Sequence, residues 1–87
     1  MQVSMWTHGH KIDIQTNTAF TPVEVVLYDG REVSRRTSWF NSKHEFDVIE
    51  NGKTVQYEAA IALNMLSLSS WITVMLYRDR ELVYSIS

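Results

Sequence analysis

The chain has no cysteine, a single proline and only three glycines among its 87 residues. Without cysteine there is no disulfide, no thiolate metal site and no Cys nucleophile. Small secreted domains often depend on disulfides, so the absence points to a reducing, cytoplasmic setting. With so little glycine there is no phosphate-cradling loop. No apolar run approaches the roughly 18 residues a membrane-spanning helix needs. Residues 1–6 lack the basic region and apolar stretch of a signal peptide. Charge of one sign is also scarce. Eight Lys and Arg against ten Asp and Glu give a net charge of −2 and a pI near 5.8. Nucleic-acid binding draws most of its affinity from phosphate neutralisation, so neither nucleic acid nor membrane is an expected partner.

The residues present describe a globular chain. Hydrophobic residues make up 45% and aromatics 11%, apolar area enough to offset chain entropy. A chain of this length buries roughly 60–65% of its unfolded surface, so residues 1–87 are expected to form one domain. No repeat, linker or low-complexity tract is legible in the sequence.

Hairpin signals dominate. The apolar run 23–28 ends in Asp29-Gly30, a pair suited to a two-residue type I′ turn in which both positions take positive φ. Closing the hairpin there sets Tyr28 opposite Arg31, Val26 opposite Val33 and Glu24 opposite Arg35. Asn51-Gly52 is a second such pair. It sets Val48 opposite Val55 and Phe46 opposite Tyr57 on one face. Glu45, Asp47, Thr54, Gln56 and Glu58 fall on the other, with Ile49 the apolar exception. Asp79-Arg80 closes a third hairpin with weaker turn chemistry, pairing Tyr77 with Leu82 and Met75 with Tyr84. Residues 72–76 are apolar on both faces, which predicts a doubly covered central strand. Residues 10–15 alternate as a strand, 16–22 read as a loop, and 1–6 offer an edge strand.

The stretch 57–68 carries helical propensity in Ala59, Ala60, Ala62, Leu63, Met65 and Leu66, yet it also alternates. The alternation continues that of the Asn-Gly hairpin, so a strand is expected, with a turn at 67–70. The fold class is therefore all-β: an antiparallel β-sandwich or flattened barrel of seven to eight short strands joined by hairpins. Val25 or Val26, Trp39, Phe46, Val48, Tyr57, Ile61, Val74 and Leu76 are the expected core.

Few residues suggest chemistry. His8 and His10 form an H-x-H, and on a strand both imidazoles would face one way, with His44 a possible third metal ligand. The competing reading is a partly exposed pair at a strand entry. Arg35, Arg36, Trp39 and Phe40 are of the residue types found at protein-binding hot spots, although Trp39 serves equally well as a core anchor. Asp13, Glu45, Asp47 and Glu58 are scattered on wet faces; a glycosidase pair needs two of them facing each other across a cleft, which a domain this small rarely has, so surface solubility is their expected role. Ser67, Ser69 and Ser70 lack any nucleophile-elbow context.

The order of features resembles one domain of the Fas apoptotic inhibitory molecule family. The residues that carry the likeness are a His10-Lys11-Ile12-Asp13-Ile14 strand, a Val-rich strand ending in Asp29-Gly30, the basic Arg35-Arg36-Thr37-Ser38-Trp39-Phe40 segment, Ala60-Ile61-Ala62-Leu63, and a closing hairpin from 71. The resemblance implies a compact, non-enzymatic β-sandwich concerned with apoptosis regulation and with protecting other proteins from aggregation. Members commonly hold two such domains, and this chain is about half that length. The expectation is a non-catalytic, cofactor-free protein-binding or protective module. It would meet a protein partner, or a second copy of itself, through an edge strand. The alternative is a small metal- or ligand-binding barrel using His8 and His10.

Overall fold

The computed structural model describes residues 2–17, 23–37, 41–64 and 71–86, and apart from four two-residue turns all of these lie in β-strands. The strands are β1 (Gln2–Thr7), β2 (His10–Asn17), β3 (Val23–Tyr28), β4 (Arg31–Thr37), β5 (Asn41–Glu50), β6 (Lys53–Asn64), β7 (Trp71–Arg78) and β8 (Glu81–Ile86). They form two four-stranded antiparallel sheets, ordered β1-β2-β3-β4 and β5-β6-β7-β8. The sheets belong to two compact units, Met1–Trp39 and Phe40–Ser87. The all-β, antiparallel class is as the alternation predicts. Two sheets are what a sandwich is built from, and neither closes into a barrel.

Residues 57–64 are strand, because β6 is bonded on both sides, to β5 and to β7. That double ladder outweighs the helical propensity of its alanines. The expected turn at 67–70 and most of the expected loop at 16–22 lie outside the described residues, whereas Thr16 and Asn17 belong to β2.

Among the described residues, each of the four two-residue turns closes its hairpin on a pair with positive φ. The pairs are His8 (51°) and Gly9 (83°), Asp29 (49°) and Gly30 (84°), Asn51 (53°) and Gly52 (76°), and Asp79 (49°) and Arg80 (70°). This is the primed geometry whose twist matches that of the strands. The His8-Gly9 turn is one the sequence reading missed. At its second position Arg80 is the exception, an L side chain where the other turns hold glycine.

The Asn-Gly register is as predicted, with Val48 opposite Val55 and Phe46 opposite Tyr57. The other two predicted registers hold only next to the turn. In β3–β4, Leu27 pairs with Glu32 but Val26 pairs with Ser34, so Val33 is passed over as a bulge. Glu24 consequently faces Arg36, not Arg35. In β7–β8, Tyr77 pairs with Leu82 but Leu76 pairs with Tyr84, so Val83 is passed over and Met75 faces Ser85. A bulge inserts one residue and shifts everything beyond it. Nor is β7 covered on both faces: Val74 and Leu76 are fully buried, but Met75 is 39% exposed.

One face of the first sheet carries buried Met5, Ile12, Ile14, Val26 and Tyr28. One face of the second carries Phe46, Val48, Val55, Tyr57, Ala59, Ile61, Val74 and Leu76. Phe46 stacks on Tyr57 with ring centroids 5.4 Å apart. Val26 is buried and Val25 only partly. Trp39 lies outside the described residues.

The two sheets are built to one plan, a repeat the sequence does not show. Asp29 N–H donates to the Lys11 carbonyl (2.8 Å) while the Asp29 carboxylate accepts the Lys11 N–H (2.9 Å). Asp79 does the same with Gln56, at 2.7 and 2.9 Å. Aligning these clamps makes Val33 equivalent to Val83 and places Gln2, Ser4 and Trp6 of β1 at the positions of Lys43, Glu45 and Asp47 of β5.

Two outcomes follow from this packing. Phe46→Ala should cost about 3–5 kcal/mol of unfolding free energy in urea titrations, since it opens a cavity against Tyr57. Arg80→Gly should raise stability by about 1 kcal/mol by relieving the left-handed backbone. Unchanged stability in the second variant would mean that the positive φ at Arg80 carries no cost.

Candidate functional site

Among the described residues each sheet ends in two edge strands, whose outward N–H and C=O groups point away from that sheet's own ladder, the direction from which another chain can add to it. The edges are β1 and β4 in the first sheet, β5 and β8 in the second. In a two-residue hairpin the flanking pair exchanges both hydrogen bonds, and pairs alternate from there. Thr7 and His10 flank the first turn. The backbone groups of Gln2, Ser4 and Trp6 therefore point away from β2. The side chains of all three are exposed, Trp6 at 66%.

The four edges differ in what guards them. β4 has the Val33 bulge and four charged residues, Arg31, Glu32, Arg35 and Arg36. β8 has the Val83 bulge. β5 is regular, but Lys43, Glu45 and Asp47 occupy the central three of its outward-bonding positions, between Asn41 and Ile49. β1 has no charge, no proline and an unbroken register from Gln2 to Thr7. Its outer face is held by Asp13, which is 5% exposed. The Asp13 carboxylate accepts from Ser4 Oγ at 2.5 Å and from Gln2 Nε2 at 3.4 Å, with Lys11 Nζ 3.7 Å away.

The histidines are not placed as the H-x-H reading requires. His8 is a turn residue at φ 51°, so it does not share a strand face with His10. Its Nδ1 is 2.9 Å from Thr7 Oγ1. His10 Nδ1 donates instead to Asp29 Oδ2 at 2.7 Å, and its ring stacks on Tyr28. That hydrogen bond, followed by the one from Lys11 N–H, holds the Asp29 carboxyl below the usual carboxylate range. His44 is fully buried on β5, in the second unit. Among the described residues, no three His, Cys, Asp or Glu side chains are grouped to hold a metal ion. Arg35 is exposed and bonded to Glu32 within its own strand at 2.7 Å, and Arg36 is exposed beside it. Trp39 and Phe40 lie outside the described residues.

Two further arrangements escaped the sequence reading. Tyr57 OH donates to Glu50 Oε2 at 2.6 Å, and Arg78 Nη2 donates to Glu50 Oε1 at 2.8 Å. Glu50 is 5% exposed and continues the parity of Phe46 and Val48, so a carboxylate on the dry face was the available signal. On the opposite face, Glu45, Gln56, Glu58, Tyr77 and Arg80 line an open depression of about 340 Å³. Glu45 and Glu58 face each other there across the ladder, with Lys43 Nζ 3.9 Å from Glu58.

No protein-family model matches the chain, and no curated protein or solved structure matches it either. Among the described residues, no helix is long and apolar enough to cross a membrane.

Burial, reinforced by the bond to Glu50, pushes the Tyr57 phenol up from 10.0 to about 12. The folded state favours the neutral phenol. This contribution to stability is full below pH 10.0 and is lost as pH rises through about 12. An ultraviolet titration should show a phenol ionisation step near pH 12, and Tyr57→Phe should remove it. A titration curve left unchanged at high pH by Tyr57→Phe would contradict the buried network.

Proposed function

We propose that this chain is a non-catalytic protein-binding module that receives a partner strand along β1. The observation that carries the reading is the contrast among edges: β1 alone of the four described edge strands combines an unbroken register with no charged side chain. Strand addition takes its affinity from main-chain hydrogen bonds and its selectivity from alternate side chains. Here the outward backbone groups of Gln2, Ser4 and Trp6 supply the first. The exposed Trp6 indole, a residue type enriched at hot spots, supplies the second. The likeness to the Fas apoptotic inhibitory molecule family points the same way, toward a non-enzymatic module, and the lack of cysteine suits a reducing cytoplasm. Arg35 and Arg36 would then guard β4 against unwanted pairing and would not form the binding patch.

A displayed library of extended peptides, selected on the immobilised protein, tests this. The binders recovered should be lost with Ser4→Pro and retained with Arg35→Ala. Proline is tolerated on an edge whose N–H faces solvent, so Ser4→Pro removes the outward donor without breaking the β1–β2 ladder. Binders indifferent to Ser4→Pro, or lost with Arg35→Ala, would move the interface away from β1.

A further inference from the structure

Resting on the reading of β1 as a binding edge, we infer that the strand it accepts is β1 of a second copy, antiparallel and centred on Ser4. Facing residues in an antiparallel pair must lie on the same side of the sheet, and the bonding pairs must be the outward ones. On β1 the outward residues are Gln2, Ser4 and Trp6. One two-fold register engages all three at once. Ser4 faces Ser4 of the other copy, and Gln2 faces its Trp6 on both sides of the axis. Three bonding pairs result, with every outward N–H and C=O of these residues used. Centring on Val3 or Met5 pairs only two of the three with one another.

The second sheet supplies a comparison inside the same chain. Lys43, Glu45 and Asp47 hold the equivalent outward positions on β5. Centring that strand on Glu45 sets Glu45 against its own copy. Shifting by one residue sets Glu45 against Asp47. Like charges directly opposite are destabilising, so charge opposes self-pairing of β5 most at the shifted register, where Glu45 meets Asp47 twice; the register centred on Glu45 sets one Glu pair against two Lys43–Asp47 pairs. On β1 the same register brings no charges together. It also places each exposed Trp6 over the Gln2 of the other copy. Ser4 Oγ is already directed to Asp13, so the centre of the pair is narrow and its backbone is held in place.

The chain has no cysteine, which allows a direct test of register. Facing residues of a bonded antiparallel pair lie about 5.5 Å apart at Cα, within disulfide range. Ser4→Cys should form a disulfide-linked dimer on mild oxidation. Gln2→Cys and Trp6→Cys, mixed, should cross-link to one another in preference to themselves. Sedimentation of the unmodified protein should show mass rising with concentration from 10.1 kDa toward twice that value. Ser4→Pro should weaken this association by about tenfold or more, since it removes both central donors. A protein that stays monomeric at every concentration, yet binds library peptides in a manner sensitive to Ser4→Pro, would overturn self-pairing and keep the binding edge. Self-association indifferent to Ser4→Pro would overturn both. Trp6→Cys cross-linking chiefly to itself would overturn the register.

Discussion

The aspartate clamp is the interaction on which both sheets depend. Each sheet is two hairpins, and a hairpin settles only its own register. Something must fix the second hairpin against the first. At the far end of each sheet, the turn aspartate makes a two-way bond to the neighbouring strand: Asp29 to Lys11 and Asp79 to Gln56. Its own amide donates while its carboxylate accepts, so the ladder continues into the turn. A one-residue slip would break both bonds and turn every side chain of the hairpin to the wrong face. The positive φ of Asp29 and Asp79 is part of the same device, because it aims amide and carboxylate at one residue.

The shared plan accommodates different polar chemistry in each sheet. At the Tyr28 position of the first sheet the second has Arg78, and at the Ile12 position it has Tyr57. This is where the buried Glu50–Tyr57–Arg78 network arises. The longer first hairpin of the second sheet brings Glu50 within reach of both partners. In the first sheet the turn end is occupied instead by His10, held by Asp29 and stacked on Tyr28. The two edges diverge in the same manner. Charge guards β5, whereas β1 is left neutral and regular, with its polar side chains gathered on Asp13.

The strand class, three of the four turns and the dry face of the Asn-Gly hairpin were legible because each is local. Period-2 alternation and Asp-Gly or Asn-Gly pairs act within a few residues. The fourth turn was missed because His8-Gly9 has no strong turn signature, and the H-x-H spacing drew attention to a face the two histidines do not share. The repeat was hidden for a related reason. The longer hairpin of the second sheet changes the offset between equivalent positions, and few equivalent residues are alike.

By itself, then, the sequence determined that this chain makes antiparallel hairpins and which residues of most strands face inward, since alternation and turn preference are properties of short segments. Tertiary structure decided the rest. The bulges at Val33 and Val83 depend on twist between paired strands; the first decides that Glu24 faces Arg36 and not Arg35, the second that Met75 faces Ser85 and not Tyr84. The clamps depend on a turn meeting a strand eighteen or more positions away. Which edge is left open depends on strand order, and a single strand read alone does not reveal whether one of its sides goes unbonded.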